Sequence, residues 1–207
     1  MISRSFYILL VFCVGFTPFS DLSPKAYKKE MKKYRKEIHK KFKNPKESPF
    51  RDKADTYKKL EYFPASLTYR VTARFERIKR GKVFDIKTSN PERDKKFVPF
   101  AKLHFSIAGK ELSLTAYRNL ELPRIGKYKK HLFLPFMDLS NGETTYGGGR
   151  YLDLEIPEGE EIVLDFNKCY NPYCAYRTDG WSCPIPPQEN YLDIEILAGV
   201  KSYHKDH

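Results

Sequence analysis

Long hydrophobic runs are missing from this chain of 207 residues: the apolar stretch Phe6–Phe16 has eleven residues, far short of the roughly 20 that cross a bilayer. Catalytic signatures are missing too. There is no Ser-centred elbow, no zinc-binding helix motif and no nucleotide-phosphate fingerprint, so the common hydrolase, metalloprotease and nucleotide-binding classes have no sequence support. Glycine and proline, at eleven and fourteen, follow no period, which excludes collagen-like and low-complexity chains. No internal repeat occurs. Acidic residues are outnumbered, 26 against 38 Lys and Arg, giving a net charge of +12.

What is present is enough for one core. Hydrophobic residues make up 41% and aromatic residues 15% of the chain, with fifteen Tyr and fifteen Phe, a composition that folds and fits one domain. The excess charge is local. Lys25 to Lys59 holds fifteen basic and five acidic residues, a net +10, whereas Leu60 to His207 holds twenty-two and twenty, a net +2. A nucleic-acid groove spreads basic charge over the folded surface, so this distribution argues against a nucleic-acid partner.

Arg4 followed by Phe6–Phe16 has the form of a secretory leader, with the cut expected between Gly15 and Ser20. That reading gives residues 1–20 as signal peptide, residues 21–47 as a basic amphipathic helix with its linker, and residues 48–201 as a single β-rich domain. Export puts the folded part in the periplasm or outside the cell, in reach of the envelope. It also removes Cys13 and leaves Cys169, Cys174 and Cys183. In an oxidising compartment Cys174 and Cys183 are the expected pair, closing a ten-residue loop worth about 2.7 kcal/mol in chain entropy. Cys169 is then a buried small hydrophobe. The spacing C-x4-C-x8-C with no adjacent His gives no metal site, and no cofactor is expected.

The first element reads as a helix, with Ser23 as cap, Pro24 at the first position and no breaker before Asn44 and Pro45. Tyr27, Met31, Tyr34, Ile38 and Phe42 fall on one face, with lysines around them. The stripe is expected to pack on the main domain; a partner helix or an anionic membrane surface touched through Lys25 to Lys43 uses the same features. Beyond Pro49 the period becomes two. Strands are predicted at 67–76, 83–88, 102–107, 111–117, 131–136, 151–156, 162–166 and 191–197, with a hairpin about Ala108-Gly109-Lys110. Seven or eight short strands without intervening helices predict a mainly β fold, an antiparallel barrel or sandwich preceded by the amphipathic helix.

Polar, aromatic and glycine-rich segments cluster between Asp138 and Asn190. In Thr144-Thr145-Tyr146-Gly147-Gly148-Gly149-Arg150 three glycines let backbone N–H groups converge beside a guanidinium, as in an anion nest; the alternative is a tight turn whose Arg150 pairs with an acid such as Asp165. In Asp165-Phe166-Asn167-Lys168-Cys169-Tyr170-Asn171-Pro172 an Asp and two Asn leave a strand. They serve either as turn-stabilising groups or as a site, with Asp165 as general base or ligand acceptor and Asn167 and Tyr170 as orienting groups. The Pro-rich stretch Cys183–Asn190 reads as a lid or brace.

These segments carry a resemblance. Phe136-Met137-Asp138, Gly142 to Leu152, Asp165-Phe166-Asn167 with Tyr170-Asn171-Pro172, Cys174-Ala175-Tyr176, Cys183-Pro-x-Pro-Pro and Glu189-Asn190 look like the bacterial family known as domain of unknown function 1684. The likeness runs from about Pro49 to Lys201. It implies membership and brings no reaction, cofactor or substrate; Cys169 stands where the family pattern usually has Ala. Three functions follow as expectations. The first is an exported binding module for a small polar or anionic ligand, using Thr145, Tyr146, Arg150, Asp165, Asn167, Tyr170 and Asn171 around one shared cavity. The second is a hydrolase with Asp165 as base. The third is an envelope interaction protein acting through the lysine-rich helix.

Overall fold

The structure is a computed structural model that describes residues 22–177 and 180–203. The leader predicted for residues 1–20, with Cys13, lies outside the described residues.

Helix α1 (Pro24–Lys43) starts where capping chemistry puts it: the Ser23 side chain accepts a bond from Ala26 N at 3.3 Å and Pro24 fills the first turn. Lys40, Lys41 and Lys43 in the last turn suit the negative end of the helix dipole. The apolar stripe is buried against the chain's own domain, fully at Tyr27, Met31 and Phe42 and partly at Tyr34 and Ile38. No helix among the described residues is long and apolar enough to cross a membrane.

The rest is one curled, almost wholly antiparallel sheet, so the fold is a half-barrel and not a two-sheet sandwich. Its strands are β1 (Arg70–Arg77), β2 (Phe84–Ile86), β3 (Lys95–Ile107), β4 (Lys110–Asn119), β5 (His131–Asp138), β6 (Arg150–Glu155), β7 (Glu161–Asp165) and β8 (Tyr191–Leu192). The order across the sheet is β6-β5-β4-β3-β1-β7, with β2 added to β3 and β8 running parallel to β5. The curl brings the two ends together: Tyr151 of β6 and Tyr170, just beyond β7, exchange backbone bonds of 2.9 and 3.0 Å. Of the strand predicted for 191–197 only the first two residues pair in the sheet, because the chain then turns to give its backbone to Leu139 and Asp138.

Alternation sorts the side chains onto two faces. Leu103, Leu114, Leu132, Leu134, Leu152 and Leu164 pack with Phe136 and Phe166 inside the curl. Phe97, Tyr117, Phe133 and Tyr151 point to the opposite face and form a second, aromatic cluster with Ile86. That outer face is covered by β2, by residues 170–176 and 181–184 and by α1. Burying both faces explains why β5, His-Leu-Phe-Leu-Pro-Phe, is apolar at nearly every position.

Candidate functional site

The glycine-rich turn builds a buried ion pair. Arg150 is 0% exposed and follows Gly149, whose φ of +82° and close approach to Phe136 O leave no room for a Cβ. Arg150 lies opposite Phe136 in the β5–β6 register, which puts it beside Asp138 two residues on. Its Nη2 donates to Asp138 Oδ2 at 2.8 Å and to Ile196 O at 2.8 Å, and its Nη1 donates to Ala198 O at 2.6 Å. The guanidinium therefore ties the chain's last segment to the sheet. Asp138 Oδ1 accepts from the backbone N of Ser140 and of Ile196. Thr145, also buried, shares its hydroxyl with Ser140 and Asn141 at 2.9 Å each, and Tyr146 is half-buried above it.

Asp165 sits in different company. Its Oδ1 accepts from the Tyr27 hydroxyl at 2.7 Å and from Asn167 N at 3.1 Å, while Arg70 and Lys168 approach Oδ2 at 3.9 and 3.6 Å. This carboxylate anchors the start of α1 to the end of β7. Asn167 brackets Ser66 with both ends of its amide, accepting from Ser66 N at 2.9 Å and donating to Ser66 O at 2.8 Å. Asn190 does the same to Thr115, at 2.8 and 2.9 Å. Such amides replace ladder bonds where the sheet gives none. Arg150 and Asp165 share no hydrogen-bond or ion-pair partner among the described residues, and neither lines either of the two cavities described below. The reason is register, which gives Arg150 the nearer acid on its neighbouring strand.

The structure does bring Tyr170 and Asn171 to a cavity, of about 690 Å³, on the outer face of the sheet. Its walls include Phe133, Tyr151, Tyr170, Tyr173 and Trp181, with Phe133 and Tyr151 4.7 Å apart and Tyr173 and Trp181 also 4.7 Å apart, both edge to face. Cys174 and Cys183 form the disulfide, with Cα atoms 6.3 Å apart, and thereby close the loop that carries Tyr176 and Trp181. That loop is a brace: Ser89 N donates to Cys183 O at 3.0 Å, and Ile185 N donates to Lys87 O at 2.8 Å.

Polar and charged side chains also line the cavity, among them Glu47, Lys95, His131, Asp153, Lys168 and Asn171. Asp153 bridges two neighbours, meeting His131 Nε2 at 3.0 Å and accepting from the Tyr170 hydroxyl at 3.0 Å. Burial, reinforced by Asp153, pushes the Tyr170 phenol well above its ordinary pKa, so it stays a proton donor. Asn171 is 1% exposed; its Nδ2 donates to Lys201 O at 3.0 Å, but its Oδ1 is buried with no hydrogen-bond partner among the described residues. His131, Asp153, Tyr173 and Trp181 were not among the residues that sequence reasoning selects. Their signal was available in the double-sided apolar pattern of β5, which implies a covered outer face. Cys169 also lines this cavity but is free and fully buried, and burial raises its thiol pKa to about 11, so it is no nucleophile at neutral pH. Among the described residues no three His, Cys, Asp or Glu side chains are grouped to hold a metal ion.

Fold and site together define a class: an antiparallel half-barrel strapped by a disulfide loop, with a basic helix laid across it and an aromatic cavity on its outer face. The chain belongs to the family described as "Protein of unknown function (DUF1684)", whose model matches residues 55–201. It is similar to the solution NMR structure of an uncharacterized protein of Haloarcula marismortui, at 31% identity and a TM-score of 0.64 over 86% of this chain and 95% of that one. No curated protein matches the chain significantly.

Proposed function

We propose that this protein is a binding module for a small ligand with a flat apolar body and a hydrogen-bond donor at one end, held in the Tyr170–Trp181 cavity. The observation that carries the reading is Asn171 Oδ1, a buried acceptor without a partner in the wall of a ligand-sized aromatic cavity. Leaving such a group unmet costs about 1–3 kcal/mol, a cost that a ligand N–H or O–H removes. The rings supply the remaining contact, and the Asp153–His131 pair offers a second polar end. The anionic ligand expected at Arg150 is not supported, because that side chain is 0% exposed and its Nη1 and Nη2 are bonded to carbonyls and Asp138. A hydrolase using Asp165 is not supported either, because that carboxylate lies off the cavity and is 7% exposed. Export remains part of the proposal, since a disulfide suits an oxidising compartment.

A thermal-shift panel of phenols, indoles, purine nucleosides and monosaccharides tests it, because a ligand bound only by the folded state raises Tm by mass action. At least one class is expected to stabilise the wild type and to lose that effect in Asn171→Ala and Tyr173→Ala. A panel without hits, or hits indifferent to both substitutions, defeats the reading.

A further inference from the structure

A second cavity, of about 730 Å³, lies between α1 and the segment around Tyr57–Ala65. Its lining is one-sided in charge. Lys28, Lys32, Arg35, Lys36 and Lys59 contribute to it, and no carboxylate among the described residues does. The two acids of α1 are engaged elsewhere, Glu30 with Lys168 at 2.8 Å and Glu37 with Lys40 at 3.4 Å, while none of these five cations makes an ion pair with a described residue. Arg35 is the least satisfied. Its guanidinium lies over the Tyr62 ring at 4.6 Å and its Nη2 donates to Phe63 O at 2.9 Å, but its Nε is buried with no hydrogen-bond partner. Partial burial lowers its pKa, and Asp165 offsets only part of that desolvation. The floor is apolar, made by Met31, Leu60, Tyr62 and Pro64.

We infer that this groove binds a phosphate group attached to an apolar body, the phosphate held by Arg35 with Lys32, Lys36 and Lys59 and the body resting on Tyr62 and Leu60. A guanidinium flanked by exposed ammonium groups is an arrangement that phosphate oxygens fit. Repulsion among the five cations falls when a dianion enters, and weakens as salt is added. The site does not depend on the Tyr170–Trp181 cavity, although the two share Leu60 and Tyr62.

Calorimetric titration of the full chain with phenyl phosphate, inorganic phosphate and neutral benzyl alcohol tests the inference, together with sedimentation on phosphatidylglycerol and phosphatidylcholine vesicles. Phenyl phosphate is expected to bind best. The combined variant Lys32→Ala, Lys36→Ala, Lys59→Ala alters exposed side chains only, and is expected to keep the wild-type Tm while weakening binding about tenfold or more. Tyr173→Ala, a substitution in the other cavity, is expected to leave phenyl phosphate binding intact. Binding to phosphatidylglycerol vesicles without phenyl phosphate binding, lost in the triple variant, supports the same chemistry with a lipid headgroup as its source. Absence of binding to any phosphate, equal binding of benzyl alcohol, or indifference to the triple variant overturns it.

Discussion

Arg150 shows how a residue that looks like a ligand anchor can be consumed by the fold. Both members of its pair with Asp138 are fully buried, and the guanidinium also caps the carbonyls of Ile196 and Ala198. Removing one member strands the other charge away from water, so Arg150→Ala is expected to lower unfolding free energy by about 3–5 kcal/mol. Arg150→Lys rescues little, because one ammonium cannot match a fork reaching several acceptors. Urea unfolding checks both; a loss near zero for Arg150→Ala would show that the pair is dispensable. The sequence showed Arg150, Asp165 and Asn167 as chemically able groups, and each does bind something. What it could not show was the partner. Asp138 becomes the partner only through the β5–β6 register, and Asn167 finds Ser66 a hundred residues earlier in the chain.

Elements were more legible than partners. Ser23, Pro24 and the stripe from Tyr27 to Phe42 define α1, and short apolar or alternating runs between turn residues place the eight strands, though β3 begins at Lys95, earlier than its pattern suggests. Pro99 hides that extension, because proline interrupts a strand pattern and here sits beside a bulge between Pro99 and Ala101. The hairpin between β3 and β4 is tighter than predicted, with two linking residues, Ala108 at φ 51° and Gly109 at φ 79°. Positive φ at both positions is the type I′ pattern, which suits Asn-Gly and strains Ala. Ala108→Asn is therefore expected to stabilise the protein by about 0.5–1 kcal/mol, a rise of a few degrees in Tm. A fall in Tm would mean that the exposed turn is not what holds Ala108 in this conformation. The outer aromatic face was the least legible part, since its cover comes from a loop and a helix distant in sequence.

At the scale of the molecule, buried phenols and one thiol make stability sensitive to base. Burial raises the pKa of Tyr27, Tyr117, Tyr151, Tyr170 and Tyr176, and that of Cys169 from 9.0 to about 11. In each case the unfolded chain loses its proton first. The contribution is complete below the unfolded pKa, 9.0 for the thiol and 10.0 for the phenols, and is lost as pH rises through the folded values. The urea midpoint is expected to fall between about pH 8 and about pH 10.5, and an unchanged midpoint would contradict the burial described.

The two cavities flank α1, so the helix is a shared wall that the basic N-terminal segment lays over the half-barrel. Trp181 is the chain's only tryptophan and it lines the aromatic cavity, which makes its fluorescence a reporter of occupancy. The most direct measurement is a fluorescence titration with the compound that gives the largest thermal shift. The account predicts a saturable change in Trp181 emission in the wild type, weakened about tenfold or more in Asn171→Ala. A compound that stabilises the protein without altering that emission, or that binds Asn171→Ala as tightly as the wild type, would contradict it.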